Sequence, residues 1–580
     1  MRPRCSSAHA VEELWRFAHT NRIHTRPFFG SSRRLRAPWR SQFSSTAHNE
    51  AKNVAIIGGG ITGLSTAYRL SKDPLIKVTL FESSNRLGGW IRSEKIDVGD
   101  GKYIVFDDGP RTLRSTLSGA LATLELIKDL DLQKEILRTS IHDAASRNRY
   151  IYYPDHLVRL PGPQPGAGLL VNIISNFMNL FTEPALKNIP LALLSEYFVP
   201  KRDMNVRDES IGDFLSRRFG KDLTDHLASA VIHGIYAGDI YKLSAQSLLP
   251  KIWWSELSKR GICLSMQDNH LPYDIFHGGR LIRRERGIKF MSELSTYISG
   301  SSVFALKGGM GQLVDALSSA LNSSPNVEIK TNADVNEMRR GDSGWQISVG
   351  DTARQNYSHV VSTIPFPKLQ GQLGSDFEEM VEFKDIDLHS DAATVMTVNL
   401  YFKSSNLVPV HGFGYLIPRS IPLEQNPERA LGVVFMSDSN IGQDTARGTK
   451  LTVMLGGHWW SHWEDSELPS EEKGIEMARK LLKRHLQITE EPVVARAKLM
   501  KQAIPQYTVG HATRMADLHE ILMQEAPGLK VAGSWFTGVA VNDCIRAARL
   551  TANSILSGND EETGLERYLD DNIEGYGEPS

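Results

Sequence analysis

Two short apolar runs, separated by glycines and a helical pattern, begin the part of the chain that is patterned like a folded domain. Residues 52–57 end in four consecutive apolar side chains, which is typical of a buried strand. Apolar side chains at helical spacing follow at 64–70, and residues 77–81 form the second apolar run. The pattern predicts a strand, a helix and a parallel strand, as in an α/β fold.

The sequence between the first strand and the helix is GGGITG, at residues 58–63. In a dinucleotide-binding turn the first glycine permits the tight turn, the second lets the backbone approach a pyrophosphate, and the third lets helix and strand pack closely. The first N–H groups of the helix then face the phosphate charge. Glu82 ends the second strand about 20 residues further on, where an acid binds a ribose hydroxyl. We therefore expect a Rossmann-type domain that binds a dinucleotide.

The residues after Glu82 favour FAD over NAD. The string ESSNRLGGW at 82–90 resembles the ExxxRxGG extension of FAD-dependent amine oxidases. Gly88 and Gly89 let the chain pass close to the cofactor. Arg86 either binds phosphate or braces the loop.

Segments far along the chain are expected to complete the cofactor site. Residues 531–534 read as a strand and turn, and residues 538–545 lead into a helix at 546–556. In the oxidases that the sequence resembles, this helix directs its N-terminus at the flavin, where negative charge builds up on reduction. Residues 327–329 form another strand ahead of Val335, whose backbone meets the adenine in those relatives.

The FAD-binding domain is therefore predicted to be discontinuous, with parts at 48–138, 301–364 and 501–557. A mixed-sheet substrate domain is predicted at 365–500, and a helical membrane-docking and substrate domain at 139–300. Within the latter, the apolar run 169–181 is interrupted by asparagines and is too short to cross a bilayer. It is either a core helix or an interfacial one, which residues 197–199 would join. No apolar run of transmembrane length occurs, and an ordinary helical subdomain is the alternative.

Composition and charge restrict the classes of function. The chain of 580 residues is 41% hydrophobic and 23% charged, as in globular proteins. Its net charge of −1 gives no field that attracts nucleic acid. The 3 cysteines are far apart, which argues against a disulfide framework and against a metal site.

Both ends of the chain differ from the rest. Residues 1–47 are rich in arginine and serine and poor in acids, which is typical of a mitochondrial transit peptide. A disordered basic tail is the alternative. Residues 558–580 are rich in acidic side chains and are expected to form a flexible tail.

The motifs together resemble the protoporphyrinogen oxidase family of the fungal and animal type, within the FAD-dependent amine oxidase superfamily. They follow the family order from about residue 50 to 557. The matching strings are GGGITGLS at 58–65, ESSNRLGGWIRS at 82–93, GPRTLR at 109–114, HGIYAGD at 233–239, LKGGMGQL at 306–313, GFGYLIP at 412–418, LTVMLGG at 451–457 and GVAVNDCI at 538–545.

This resemblance implies the FAD-binding fold of amine oxidases and p-hydroxybenzoate hydroxylase, with one non-covalent FAD in each chain. It also implies a set of FAD contacts at the matching positions. These are Ile57, Gly58, Gly59, Gly60, Ile61, Thr62, Gly63, Glu82, Ser83, Arg86, Gly89, Trp90, Gly109, Pro110, Arg111, Thr112, Val335, Ser534, Val539, Ala540 and Val541.

Five further positions match a porphyrinogen pocket. By resemblance, Arg149 holds a propionate, Phe413 and Leu416 enclose the ring, Met454 adds an apolar wall, and the Gly234 carbonyl faces the pyrrole N–H groups. From the residues alone, a solvated surface arginine is the simpler reading of Arg149. Core packing explains the three apolar residues as well as a ligand wall does.

Two features depart from the family pattern. His233 precedes Gly234, where some relatives have arginine, and it is either a ligand or a buried structural histidine. Residues 254–300 contain extra sequence, with a basic run at 280–286, for which no counterpart is known.

No nucleophile elbow, zinc-protease motif or recognisable pair of catalytic carboxylates occurs. We hypothesise, from the resemblance, that a bridging carbon of protoporphyrinogen IX gives hydride to flavin N5 in two-electron steps. Molecular oxygen would accept the electrons and form hydrogen peroxide. The resemblance also implies peripheral attachment to the mitochondrial inner membrane, with ferrochelatase or a second copy in a homodimer as partners. An amine or polyamine oxidase and a non-catalytic FAD-bound scaffold are the rival functions.

Overall fold

The computed structural model describes residues 51–162, 183–257, 262, 273–341, 344–350, 353–373 and 392–569. The predicted transit peptide and the apolar run 169–181 lie outside these residues.

The strands, numbered in chain order, occur singly or in consecutive groups between helices. They are β1 Lys52–Ile57, β2 Ile76–Phe81, β3 Ser93–Asp97, β4 Tyr103–Asp107, β5 Leu113–Arg114, β6 Ile136–Ser140, β7 Tyr150–Tyr152, β8 Leu157–Arg159, β9 Ser301–Leu306, β10 Val327–Lys330, β11 Val335–Gly341, β12 Gly344–Val349, β13 Gln355–Tyr357, β14 His359–Ser362, β15 Ala392–Phe402, β16 Gly414–Leu416, β17 Ala430–Phe435, β18 Thr449–Gly456, β19 Val494–Pro505 and β20 Leu529–Val531.

Most helices are short, and the longest helical segment is interrupted within its length. They are Ile61–Leu70, Leu117–Asp129, Ala144–Arg147, Ile189–Ser195, Ile211–Phe219, Lys221–Leu223, Ser229–Tyr236, Ala245–Leu248, Pro250–Ser255, Tyr273–Tyr297, Gly311–Asn322, Phe366–Gln372, Met436–Ser439, Glu471–Leu486, His511–Glu525 and Val541–Leu556.

A five-stranded parallel sheet brings together distant parts of the chain. Its order is β10-β2-β1-β14-β20, so strands from both ends and from the middle of the sequence lie side by side. The α/β class is confirmed. Two predicted helices begin earlier than expected, at Ile61 and Val541, because the side chains of their first turns are buried rather than exposed loop residues.

A seven-stranded mixed sheet forms the second large layer. Its order is β19-β15-β18-β17-β16-β7-β8, with β16 and β7 parallel and the other neighbours antiparallel. The long strand β15 is buried from Val395 to its end because Glu471–Leu486 and the adjacent strands cover it. This sheet is the predicted mixed sheet, extended by β7 and β8 from outside the predicted interval.

The prediction that residues up to 300 belong to a membrane-docking domain is wrong for Tyr273–Tyr297. Ile282, Met291 and Leu294 are buried in the core that surrounds the parallel sheet. The segment is broken at Gly287, where φ is 81° and ψ is 168°. Ion pairs that sequence patterns do not reveal attach it to this core, among them Arg286 with Asp129 and Lys128 with Glu293.

The prediction of a flexible tail from residue 558 is wrong for residues 558–569. Leu565 is fully buried, and Tyr568 is nearly so. One of the acidic side chains that suggested disorder has a partner here, since a carboxylate oxygen of Asp560 lies 2.9 Å from Nε2 of His359.

Candidate active site

The glycine turn lies at the carboxyl end of β1, where parallel sheets bind ligands. Gly58 has φ of 103°, which favours glycine, and its N–H donates to the Phe81 carbonyl at 2.8 Å. A Cβ at Gly63 would lie 1.9 Å from the Gly58 oxygen, so helix and strand pack as closely as the pattern predicts. A Cβ at Gly60 would meet no atom within 4 Å, which leaves open space beside the turn.

The carboxylate of Glu82 joins the glycine turn to the following loop. One oxygen accepts the Gly59 N–H at 2.8 Å, and the other accepts the Ser84 N–H at 2.8 Å. The Glu82 carbonyl accepts the Ala333 N–H at 2.9 Å, which ties the loop to the segment before β11. The acid therefore lies directly beside the glycine turn.

Arg86 braces its own loop rather than reaching outward. Its guanidinium donates to the carbonyls of Leu87 at 3.1 Å, of Ile91 at 3.4 Å and of Gly89. Of the two roles left open by the sequence, the loop brace is the one that the geometry supports. Trp90, at the end of this loop, is 45% exposed.

Arg111 is a buried charged group of this region whose hydrogen-bond donors are not all satisfied. Its Nε and one terminal nitrogen are buried, and neither has a hydrogen-bond partner among the described residues. Burial lowers its pKa to about 10, which the carboxylates of Asp107 and Asp108 oppose. Because an unsatisfied buried donor costs free energy, the site fits a ligand that offers acceptors, as a flavin or a phosphate does.

The loop that carries Arg111 is fixed from the mixed sheet. Asn399 donates to the Asp107 carbonyl at 3.0 Å, and Thr397 donates to the Asp108 carbonyl at 2.7 Å. Thr452 in turn donates to Asn399 at 2.6 Å. Sequence reasoning missed these buried polar residues of β15 and β18. Their signal is hydroxyl and amide side chains within an otherwise apolar strand.

Helix Val541–Leu556 begins beside the same turn. Gly533, with φ of 109°, lies against Thr62, and a Cβ there would be 3.1 Å from the threonine oxygen. Ala540 precedes the helix with extended backbone, which leaves the first N–H groups at the carboxyl edge. Burial raises the pKa of Cys544 to about 12, so this thiol packs in its neutral form.

Val335, the predicted adenine contact, is buried at the start of β11. Its carbonyl accepts the Gln372 amide at 2.6 Å, so one of its two backbone groups is already bonded.

The residues predicted to line a substrate pocket come together in two groups. Leu416 and Met454 both lie opposite Gly432, on strands β16 and β18 that flank β17. Directly opposite side chains share a face of the sheet, so the two form one half-buried wall. Helix Ser229–Tyr236 covers this wall, because a Cβ at Gly234 would lie 2.6 Å from Leu416.

Arg149 and Phe413 form the second group. They precede the parallel neighbours β7 and β16, and the guanidinium carbon lies 5.5 Å from the Phe413 ring centroid. Desolvation and the nearby charge of Arg114 lower the pKa of Arg149. Two arginines thus lie close to one end of the apolar wall. Arg114 was not singled out from the sequence, although it ends a matching string.

His233 packs against the rings of His458 and Trp459. It is 2% exposed, and its Nδ1 lies 3.3 Å from the Ile417 carbonyl. Burial and the neighbouring His458 lower its pKa well below the usual value. The burial and neutral state of this imidazole are typical of a histidine that packs in the protein interior.

Within the described ranges, no cluster of histidine, cysteine or carboxylate side chains has the geometry of a metal site. Among the same residues, no helix is long and apolar enough to cross a membrane.

Residues 61–556 match the family described as flavin containing amine oxidoreductase. Protoporphyrinogen oxidase of Schizosaccharomyces pombe is 34% identical over 522 residues, covering 87% of this chain and 99% of the relative. The human protoporphyrinogen oxidase is 30% identical over 508 residues, covering 87% and 98%. A crystal structure from Exiguobacterium sp. 255-15, provisionally assigned as a protoporphyrinogen oxidase, superposes with a TM-score of 0.64 at 22% identity, over 87% of this chain and 99% of that one. This structural likeness shows the fold.

Proposed function

The chain belongs to the flavin-containing amine oxidoreductases and, within them, to the protoporphyrinogen oxidase family, and on that premise we propose that it oxidises protoporphyrinogen IX to protoporphyrin IX in haem biosynthesis. The family makes it a flavin-dependent oxidoreductase. Oxygen as the acceptor, with hydrogen peroxide as the by-product, is part of the proposal.

The observation that carries the proposal is the wall of Leu416 and Met454 with Arg149 near one end. A porphyrinogen is a large apolar macrocycle with carboxylates along one edge, so it needs apolar surface and a cation at the border of that surface. The guanidinium of Arg149, which lies over the Phe413 ring, would supply this cation. An amine substrate would instead need an acceptor or an aromatic surface for its ammonium group.

The cofactor proposed is FAD, held without a covalent bond. When bound, the flavin supplies the acceptor for two electrons and a proton from a substrate carbon. The glycine turn would hold the pyrophosphate, Glu82 the ribose, and Arg111 would donate to the flavin or a phosphate. Its two unpartnered nitrogens support this role.

The cofactor proposal is tested on the purified full chain. Acid precipitation should leave all of the flavin in solution as FAD, whereas a yellow pellet would show a covalent bond. Glu82→Ala should weaken FAD binding by roughly 10- to 100-fold, because hydrogen bonds to a charged group are lost. Glu328→Ala, with 62% of its side chain exposed on a neighbouring strand, is the control.

The substrate is tested by mixing the same protein with protoporphyrinogen IX in air and following porphyrin fluorescence. We expect oxygen-dependent fluorescence well above the enzyme-free rate. Arg149→Ala should raise KM and leave the flavin spectrum unchanged, and the exposed Arg138→Ala should behave as wild type. A flavin-loaded protein that leaves protoporphyrinogen unoxidised but oxidises an amine or polyamine would establish the rival function.

Peripheral attachment to a membrane is proposed from an exposed apolar surface next to helix Ile189–Ser195. Its members expose between 63% and 82% of their surface: Leu191, Leu194, Tyr197, Phe198 and Met204. A patch of this kind, with Lys187 and Lys201 beside it, suits the interface of an anionic bilayer. The double substitution Leu194→Glu/Phe198→Glu should abolish flotation with cardiolipin vesicles. Ile441→Glu, which changes an exposed apolar residue elsewhere, should leave flotation intact.

The proposed site of action is the mitochondrial inner membrane, based on the composition of residues 1–47. Residues 1–47 fused to a fluorescent protein should direct it to mitochondria. Homodimer formation and transfer of the product to ferrochelatase stay predictions.

A further inference from the structure

Residues 559–569, which we call the C-terminal strap, run along the edge of the parallel sheet. The Val531 N–H donates to the Thr563 carbonyl at 2.8 Å, which extends β20 outward. The Thr563 hydroxyl lies 2.7 Å from Nδ1 of His519. With Leu565 and Tyr568 buried, the strap is part of the fold although it follows the last helix.

The first half of the strap is anchored on a buried lysine. Lys530 is 1% exposed, and its ammonium donates to the carbonyls of Asn559, at 2.9 Å, and Glu562. A buried ammonium group needs such acceptors, because its desolvation is otherwise uncompensated. The strap therefore satisfies a charge that β20 carries into the core.

The second half of the strap holds the loop that follows β20, residues 533–538. The Tyr568 hydroxyl donates to the Phe536 carbonyl at 2.5 Å, and Arg567 donates to the Thr537 carbonyl at 2.5 Å. From another side, the Tyr507 hydroxyl donates to the Ser534 carbonyl at 2.5 Å. Three carbonyls of this loop thus accept hydrogen bonds from side chains of distant elements.

Both ends of loop 533–538 lie at the proposed cofactor surface. Gly533 is packed against Thr62 of the glycine turn, and Gly538 is followed closely by the N-terminus of Val541–Leu556. Within the loop, the N–H groups of Phe536 and Thr537 both point to the Gly533 carbonyl, at 3.0 and 3.1 Å, which makes only a single turn. Its conformation therefore depends on the bonds from outside.

We propose that the C-terminal strap is a positioning element for the flavin site, in which Tyr568 and Arg567, together with Tyr507, hold loop 533–538 in the conformation that flanks the glycine turn. Retention of the flavin then depends on residues that do not touch it. This inference rests on the proposed function, because that function places the flavin at this loop.

The test measures flavin release in the dark and without substrate, by the rise in fluorescence of free FAD after dilution of the full-length holoprotein. Tyr568→Phe removes one hydroxyl donor. If that hydrogen bond stabilises the flavin-bound state, FAD release should be about five- to tenfold faster than in the wild type. Tyr507→Phe/Tyr568→Phe should release FAD faster than either single variant, and the two effects should be coupled, because both rings pack against His511.

Two matched variants control for general destabilisation. Tyr401→Phe removes a comparable hydroxyl bond, 2.8 Å long and part-buried, from a buried tyrosine of β15 to the Arg447 carbonyl. Glu561→Gln changes an exposed side chain of the strap itself. Both should release FAD at the wild-type rate. Equal release from Tyr568→Phe and Tyr401→Phe would overturn the proposal and leave the strap with a purely structural role.

A second readout separates failure of this inference from failure of the proposed function. Amide hydrogen exchange at Phe536 and Thr537 should be faster in Tyr568→Phe than in Tyr401→Phe. If the wild type binds no flavin, the proposed function fails, and the exchange data still decide whether the strap holds the loop. Unchanged exchange in Tyr568→Phe would show that it does not.

Discussion

The imidazole rings of His233 and His458 stack inside the protein, with centroids 4.0 Å apart and planes 27° apart. The backbone of His458 is fixed as well, because its N–H donates to the Ala237 carbonyl at 2.7 Å. The pair joins helix Ser229–Tyr236 to the end of β18. It therefore holds Gly234 against Leu416, in the surface proposed to bind the porphyrinogen.

Acid should destabilise the protein through these histidines. Burial lowers the pKa of His458 to about 3, so the folded state binds fewer protons than the unfolded state below about pH 6.5. The contribution of His458 to the free energy of unfolding is therefore complete above that pH, and it decreases as the pH drops. His458→Phe keeps a stacked ring and removes one titrating group, so the decline in urea midpoint between pH 7.5 and pH 5 should be smaller. An unchanged decline would assign the effect to other buried histidines, such as His511 and His485.

Arg111→Met should separate cofactor affinity from the stability of the apoprotein. The guanidinium has two buried nitrogens without partners in the described structure, so its removal should cost the apoprotein at most about 1 kcal/mol. With flavin present the same nitrogens would have acceptors, and we expect FAD binding to weaken at least about tenfold. Thermal unfolding of both forms and equilibrium dialysis of FAD give the two values. A large loss of apoprotein stability with unchanged FAD affinity would contradict this role.

The ion pair between Arg549 and Glu125, 2.7 Å long, should behave as a coupled unit. Both side chains are buried, and Glu285 and Arg69 complete the cluster. Glu125→Gln should cost about 3–5 kcal/mol of unfolding free energy, because it leaves a buried guanidinium short of a counter-charge. Glu125→Gln/Arg549→Met should cost clearly less than the sum of the single variants. Strict additivity in urea unfolding would show that the two residues are independent.

The C-terminal strap should loosen as the pH rises. Burial, and next the charge of Glu566, raise the pKa of Glu562 to about 7, while Lys530 and a hydrogen bond from Asn559 oppose the shift. The folded state then keeps a proton that the unfolded state releases near pH 4.5. The stabilisation is complete below that pH and is lost as the pH rises through 7. His277 and Arg567 line the small cavity beside this carboxyl, and burial keeps the pKa of His277 below its usual value.

This pH effect is measurable as the exchange protection of the Val531 amide, which bonds to the strap. Protection relative to the Ile57–Thr363 backbone bond should decrease between pH 6 and pH 8 in the wild type. Glu562→Gln stays neutral and should remove that decrease. The same decrease in Glu562→Gln would place the titration elsewhere.

Local sequence patterns were sufficient to predict the glycine turn. Gly58 needs its positive φ, Gly63 needs to lack a Cβ, and Glu82 directly follows β2, so each residue type follows from a constraint within one supersecondary unit. The apolar wall was also predictable as strand residues, but only the register opposite Gly432 brings Leu416 and Met454 together.

Other features depend on partners hundreds of residues away. The acidic residues after 558 resemble a disordered tail until Lys530 and His359 are seen beside them. The segment Tyr273–Tyr297 carries a basic run, and nothing in that run shows that Arg286 pairs with Asp129 or that Glu285 pairs with Arg549. His233 is one residue from a predicted pocket position, and only the structure shows that its ring is turned away onto His458.

The order of strands in the parallel sheet also determines how late in synthesis that sheet can be completed. A ribosome makes β1 and β2 first, but β14 comes some 300 residues later and β20 later still. The strap follows even β20. The early strands β1 and β2 keep open edges until β10 and β14 are made, and the edge of β14 stays open while β15 to β19 are synthesised, a state that favours misfolding. The cofactor surface proposed above includes loop 533–538 and the start of helix Val541–Leu556, so the flavin would be captured only after synthesis is almost complete.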